Sequence, residues 1–528
     1  MKNKAFIILS AFLLLIPLFF SLTVIQGKGE AQNPPIRIQV AGQMVWSFVT
    51  GGAVWTCPAI DSSGNVYFGA NDGRLYSLQS NGTFRWSFDA SEVGRDLWIN
   101  SSPTIDSSGN IYFGTIKSYY DVARNYEASR FYSVDSSGSF RWSYLAGTPI
   151  WSSPAIDDSG NIIFGTNDNR LMSFSSSGSF NWSYNAGSDV RPNPSIASDG
   201  TIYFGSSGDE FFALNSNGTF KWSFVCPDKI EGSTAIDASG NVYFGLDSFG
   251  AFGNFFSLDS SGSFRWSFQT ASAGDIEEGP AVDCSGNIYI GTQDSNLYAF
   301  NNSGTLQWSY LFSDEIEYST PAIGNDGLIY VGNDNDRLYC FNSSGVMQWS
   351  TFDTAGNVAH PAIATNGNIY VGSGSSRFFA FDSDSSYLGD CPWSKEGHDM
   401  RNTQNQSSAT LVDLAYFRGS YVPSRSKIIV EWKTTTELET YGFYLLRKEG
   451  ENGNYFPVNS YIILAQGDSM TGAEYRYEDY SIRGGTSYYY TLEEIDLHGA
   501  SHYYGPISVS TEGSSLIDQK KKSKSKRR

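Results

Sequence analysis

Five turns of the chain set an aspartate in the same frame: DSSGN at Asp61 and Asp106, DDSGN at Asp157, DASGN at Asp237 and DCSGN at Asp283. A calcium loop needs six to eight oxygens, usually from several acidic side chains. Each copy here offers about one carboxylate, and three equivalent turns replace it with Ala197, Gly324 and Ala364. These aspartates therefore read as hairpin formers, bonding their own backbone. Glu277 and Glu278 invite a general acid/base reading, but neighbours on an extended chain point apart. Histidine is scarce (His360, His398, His498, His502), so neither a triad nor a zinc site is expected. Five cysteines (Cys57, Cys226, Cys284, Cys340, Cys391) include no C-x-x-C pair and read as small buried hydrophobes. The N-x-S/T triplets coincide with the repeat's own turns and carry no assignment. No catalytic residue and no metal site is expected from these sets.

What would position any site is a repeat. Trp46, Trp86, Trp142, Trp182, Trp222, Trp266, Trp308, Trp349 and Trp393 follow one another at 40, 56, 40, 40, 44, 42, 41 and 44 residues. Between them four short segments recur, as in PAIDSSGNVYFGANDGRLYSLQSNGTFRWSF from Pro58 to Phe88. PAID, NVYFG, RLYSL and TFRWSF are strand-like, and the Asp/Asn/Ser/Gly clusters between them are turn chemistry. We label these strands A, B, C and D. A period near forty with four strands per unit predicts an all-β, eight-bladed β-propeller of four-stranded antiparallel blades. The A strands begin at Pro58, Pro103, Pro154, Pro194, Thr234, Pro280, Pro321 and Pro361. Trp46, Trp86, Trp142, Trp182, Trp222, Trp266, Trp308 and Trp349 are expected to wedge adjacent blades together. QMVWSF (Gln43–Phe48) is a D strand with no A, B or C before it, and the eighth unit lacks a normal D strand. The N-terminal strand is expected to complete the last blade.

The repeat, Y-F-G-x-x-D-x-R-L-Y-S-L-x-S-x-G-T-F-x-W, resembles that of the pyrroloquinoline-quinone-type β-propellers. So does PWSKEGHDMRNT (Pro392–Thr403), a tag carried beside such propellers. The resemblance spans about Gln43 to Thr403. It implies the fold rather than an activity, because the family holds quinoprotein dehydrogenases and non-catalytic scaffolds such as the outer-membrane assembly lipoprotein. The dehydrogenases of the family carry an adjacent cysteine pair, acidic calcium ligands and a catalytic aspartate. No two cysteines here adjoin and no repeat shows a ligand cluster, so no cofactor is expected and neither the quinone nor calcium is supported.

The chain is expected to divide into a signal peptide (1–31), the propeller (32–405), a β-sandwich (409–511) and a basic disordered tail (512–528). Lys2 and Lys4 precede the apolar run Ala5–Phe20, and Gly29 and Ala31 suit cleavage after Ala31. The same run, uncleaved, would anchor the protein in a membrane. The reading is export to the periplasm, cell surface or exterior. KIIVEW, YGFYLLRKE, YRYEDY and TSYYYTLEEID read as sandwich strands, and VEWKTTTELETYGFYLLRK resembles C-terminal fibronectin type III-like modules of exported bacterial proteins. The formal net charge is −19, although seven positive charges lie in the closing KKKSKSKRR. So acidic a body repels phosphate backbones, which argues against nucleic acid as a partner. Membrane contact is expected only through an uncleaved N-terminal segment or the basic tail.

Function is sought where repetition breaks. Trp55, Trp98 and Trp151 fall outside the period, each just before a strand A. The two long insertions, Thr115–Arg130 and Leu246–Asn254, are both B–C connections. D–A and B–C connections share one face of a propeller. Residues three before the start of strand A continue a ring on that face: Trp55, Asn100, Trp151, Arg191, Glu231, Glu277 and Tyr318. Aromatic planes on one arc and acids on another, with Glu278, Glu315 and Glu317 beside them, suit a sugar, a peptide or a cationic group. The expected function is non-catalytic binding or scaffolding of a protein or polysaccharide at the cell envelope. The alternatives are a divergent quinoprotein dehydrogenase or glycan-active enzyme, and a purely structural spacer.

Overall fold

The computed structural model describes residues 41–511 apart from 91–96, 118–128, 249–251, 352–355, 365, 384–393, 400–401, 405–412 and short stretches of the C-terminal part. The N-terminal segment read as a signal peptide, the basic tail, Cys391 and Trp393 lie outside the described residues. Eight four-stranded antiparallel sheets form the propeller. In blade 1 the strands are Ala59–Ile60 (A), Val66–Gly69 (B), Arg74–Leu78 (C) and Phe84–Asp89 (D). Blades 2 to 8 begin at Thr104, Ala155, Ser195, Ala235, Ala281, Ala322 and Ala362. Blade 8 is closed by the first strand, Met44–Val49, which pairs antiparallel with Arg377–Asp382. The ring is thus shut by hydrogen bonds between the two ends of the repeat.

Strands A, B and C are buried along most of their length, while D alternates between exposed and half-buried residues. Neighbouring A strands touch, so they line the axis. The core between blades is filled by the tyrosine and the following aromatic or aliphatic residue of strand B, such as Tyr67 and Phe68 or Tyr203 and Phe204, all essentially buried. Phe131 stacks on Phe164 across blades 2 and 3 at 3.9 Å between centroids.

The periodic tryptophans meet the neighbouring blade from the outermost strand, where they are half-buried. Each lies against the C–D turn glycine of the next blade, Trp46 on Gly82, Trp182 on Gly218 and, closing the circle, Trp349 on Gly42. Six of the indoles also donate Nε1–H to a carbonyl of that next turn, as Trp86 does to Ser136 O at 3.0 Å. The glycine has no substitute. At Gly218 φ is +80°, and a Cβ would stand 2.4 Å from the Trp182 ring. The S-x-G…W spacing is therefore the contact between blades written along the chain.

Cys57, Cys226 and Cys340 are buried thiols outside any disulfide, as small hydrophobes should be. Cys284 departs from that reading, because it sits exposed in an A–B turn and is disulfide-bonded.

The C-terminal part builds two further sheets. One contains Asp413–Val422, Lys427–Thr436 and Glu474–Asp479, the other Thr440–Glu449, Ser487–Asp496, Ser501–Ser510 and two short edge strands. Between them lies a separate core around Trp432, which is fully buried and stacks on Tyr475. Among the described residues no helix is long and apolar enough to cross a membrane.

Candidate functional site

The two faces of the wheel are built on opposite terms. At the A–B turns each aspartate is saturated. Asp61 Oδ1 accepts from the Ser63 and Asn65 N–H groups, and Oδ2 accepts from Asn65 Nδ2 and the Tyr67 hydroxyl, all at 2.8–2.9 Å. Asp106, Asp237 and Asp283 repeat that set. With its lone pairs committed to turn donors, such a carboxylate closes a hairpin.

The D–A/B–C face leaves polar atoms unmatched. Among the described residues, Asn71, Asn100 and Asn167 each bury an amide oxygen without a hydrogen-bond partner, and Arg191 buries Nε in the same condition. Asn333, 1% exposed, pairs neither of its amide atoms, and Asp334 buries an unpaired Oδ1. No described A–B or C–D turn residue is so placed. Buried polar groups without partners cost stability and persist where something else completes them.

The D–A connections hold this face in register. A Val or Ile in each one packs on the strand-B glycine of the preceding blade: Val54 on Gly372, Ile99 on Gly69, Ile276 on Gly245, Ile316 on Gly291 and Val358 on Gly332 among them. A Cβ on Gly69 would stand 2.2 Å from Ile99. The residue after that aliphatic is Trp55, Asn100, Trp151, Arg191, Glu231 and Glu277 in blades 1 to 6, as counted from the sequence. Blade 7 corrects the count. Its connection is one residue longer, so Glu317 follows Ile316 and Tyr318 comes next. Blade 8 is one shorter and offers only Ala359.

That irregularity creates the most distinctive contact of the mouth. Trp55 of blade 1 lies over Gly374 in the B–C turn of blade 8 and meets Tyr318 of blade 7 at 4.6 Å between ring centroids, tilted by 35°. Both rings are half-buried. Trp151, on blade 3, stands on the far side of the ring from this pair. Trp98 lies in a small extra ribbon, Leu97–Trp98 pairing with Ile116–Lys117 of the first B–C insertion.

The acids occupy blades 5 to 7. Arg191 bonds Glu231 at 3.2 Å and approaches Asp189 at 3.7 Å. Lys229 contacts Asp247 and lies 3.3 Å from Glu231. Asp247, from the second B–C insertion, Asp275 and Glu277 bring carboxylate oxygens within 4.8 Å of one another. Burial, then the charges of Asp247, Glu317, Glu231 and Asp275, push the Glu277 carboxyl up to about 7. Asp334 is likewise pushed up to about 7, by burial and then by Glu317, Asp314 and Glu315. Burial, and then the neighbouring Glu317 carboxylate, raise the Tyr318 hydroxyl.

Glu278 turns elsewhere, as an extended chain requires. It enters the axis, 3.5 Å from His360 Nε2. Here the structure places the tag that the resemblance set beside the propeller: residues 394–399 and 402–404 run among the innermost strands. Glu396, 3% exposed, accepts from Asn193 of blade 4, Ser233 of blade 5 and Thr320 of blade 7. Asn402 donates to Cys57 O of blade 1 and Pro103 O of blade 2, while Thr403 O and Gln404 O receive the N–H groups of Ile156 and Ile196. Lys395, fully buried, donates to Glu396 O, to Asn402 Oδ1 and to Cys57 Sγ. Around the segment, residues just before each strand A bond from blade to blade: Cys57 N to Ser102 Oγ, Ser102 N to Ser153 Oγ, Ser153 N to Asn193, Asn193 to Ser233.

Burial, and then the Glu396 charge, hold the Glu278 carboxyl well above its ordinary range. His360 Nδ1 accepts the Thr320 N–H at 3.0 Å, so its proton sits on Nε2, facing Glu278. Glu278, His360 and Glu396 lie close enough for a metal. An imidazole whose Nδ1 is taken by a backbone donor presents N–H there, not a lone pair. Histidine scarcity concealed this cluster. Only the position of His360 immediately before strand A could have revealed it.

A family profile described as outer membrane protein assembly factor BamB matches residues 94–245, 212–386 and 293–431, which together cover more than half of the chain. The chain belongs to that family of repeat propellers. Among solved structures it is similar to BamB from Moraxella catarrhalis, at 16% identity and a TM-score of 0.52, covering 65% of this chain and 98% of that one. It is also similar to the C-terminal WD40 domain of Sif2, at 10% identity and 0.53, covering 65% and 99%. Chaetomium thermophilum Sqt1, solved bound to the N-terminus of ribosomal protein L10, matches at 14% and 0.50, covering 65% and 100%. These likenesses show the propeller fold. A search of curated proteins finds no match.

Proposed function

We propose that this protein is an exported, non-catalytic propeller that docks a protein partner through its D–A/B–C face at the cell envelope. The observation that carries the reading is the asymmetry of the wheel: one face closes its turns with saturated aspartates, while the other holds a cluster of buried polar atoms without partners beside half-buried rings and acids. The family description, an outer-membrane assembly factor, and Sqt1's complex with a ribosomal-protein terminus support a scaffold role. The exposed disulfide of Cys284 supports export, since such bonds persist in oxidising compartments. The axial segment occupies space among the A strands, which supports a reading without quinone or calcium. The C-terminal sandwich, read as fibronectin type III-like, serves as a spacer or second docking module.

The test is affinity capture from the native envelope fraction with the full chain and with Trp55→Ala/Trp151→Ala as baits. A protein retained by the wild type and lost by the folded double variant is the expected result; equal retention rejects the reading. A second reading rests on Glu277, whose carboxyl titrates near neutrality beside Asp275 and Glu317, as an acid/base pair requires. Glycoside hydrolysis abolished by Glu277→Gln would favour it.

A further inference from the structure

The positive charge on this face is unevenly shared. Lys229 and Arg191 serve Glu231, Asp247 and Asp189. Glu277, Glu317 and Asp334 form no ion pair among the described residues. These three acids share their surroundings with Tyr318, whose hydroxyl feels Glu317, Asp334 and Glu277. Tyr318 in turn meets Trp55. Two half-buried rings therefore border three uncompensated carboxylates, with the unpaired Asp334 Oδ1 and the amide of Asn333 at the adjoining B–C turn.

Each candidate occupant can be weighed against that chemistry. An anion is repelled. A neutral sugar would stack on the rings but leave the carboxylates uncompensated. A bare divalent ion needs converging oxygens, and the acids that converge most closely, Asp247, Asp275 and Glu277, already hold Lys229 on one member; the rings would offer such an ion nothing. A lysine or arginine side chain uses both elements at once, its cation over the ring faces and its N–H donors on the carboxylates. We infer that Trp55, Tyr318, Glu277, Glu317 and Asp334 form the seat for a lysine or arginine on an exposed segment of the protein partner. The inference rests on the proposed reading of this face as the docking face and names what the face recognises.

The test uses fluorescent glycine/serine peptides carrying three arginines, three lysines, three citrullines or three glutamates, titrated by anisotropy against the full chain and against a chain ending at Thr511. Arginine and lysine peptides should bind and weaken as salt rises, while citrulline and glutamate peptides should not bind. Trp55→Ala and Glu317→Gln should each weaken binding by about tenfold. Trp55→Phe, which keeps a ring, should retain most of it, and Asp158→Asn, at an exposed A–B turn, should leave it unchanged. Equal binding of arginine and citrulline peptides, no effect of Trp55→Ala in a folded variant, or an equal effect of Asp158→Asn would overturn the inference. So would peptide binding seen only in the chain ending at Thr511, which would assign the seat to this chain's own KKKSKSKRR. If a captured partner loses affinity for Trp55→Ala/Trp151→Ala but not when its own lysines and arginines are replaced, the inference falls and the docking function stands.

Discussion

The A–B/C–D face and the D–A/B–C face of this wheel are made by the same eight units, yet they differ in almost every respect that chemistry can use. The first repeats one solution: an aspartate saturated by its own turn, and an indole seated on the next blade's glycine. The second varies in loop length, side-chain type and charge, and it leaves polar atoms unpaired. Recognition is free to vary where the fold does not depend on the residue. The first face holds the ring together, and the second is available to bind.

That contrast can be broken or sharpened by substitution, and the axis between the faces should respond most. Glu396→Ala removes the acceptor shared by Asn193, Ser233 and Thr320. Leaving those donors buried and unpaired should cost about 3–5 kcal/mol in denaturant unfolding. Asp237→Ala should come next. It strips one hairpin of four bonds, including that from Tyr243, and should cost about 1–2 kcal/mol with ligand binding intact. Trp55→Ala/Trp151→Ala should differ in kind: a cooperative fold kept at a cost of about 1–2 kcal/mol for two half-buried rings, with binding lost.

The last effect is one of pH, and it carries two signs. A carboxyl raised from 4.5 to about 7 on folding, as at Glu277, stays protonated in the native protein where the unfolded chain has ionised. Its presence therefore costs nothing below pH 4.5 and progressively lowers stability as pH rises from there through 7. Cation binding runs the other way, strengthening as Glu277 and Asp334 ionise between pH 6 and 8. Glu277→Gln should flatten the thermal midpoint across pH 4.5–8 and weaken the pH dependence of arginine-peptide binding. A variant with the wild-type profile in both would count against the crowded acid arc.

Much of the wheel was legible because its contacts are periodic. Eight indoles, eight turn glycines and an orphan D strand at Gln43–Phe48 predict the number of blades and the closure by Met44–Val49. The surplus Trp55, Trp98 and Trp151 pointed to the variable face for the same reason: they break a period. What stayed hidden has no local signal. Counting back from the first residue of strand A placed Tyr318 in the ring of mouth residues, whereas the packing of Ile316 on Gly291 puts Glu317 there and frees Tyr318 to reach Trp55. Lys395 and Glu396 belong to the PWSKEGHDMRNT tag, which the sequence sets beside the propeller and not in its axis. Their burial depends on partners more than a hundred residues away, such as Cys57, Asn193 and Ser233, and nothing near them in the chain announces it.

The axial segment also changes what kind of repeat protein this is. Arrays whose units touch only their neighbours gain and lose those units one at a time, fraying from the ends. Residues 394–399 and 402–404 bond to blades 1 to 5 and to blade 7 at once, so their grip exists only when most of the circle is already in place. Losing any of those blades forfeits bonds held by all the others, which couples distant units into one melting event rather than a sequence of partial ones.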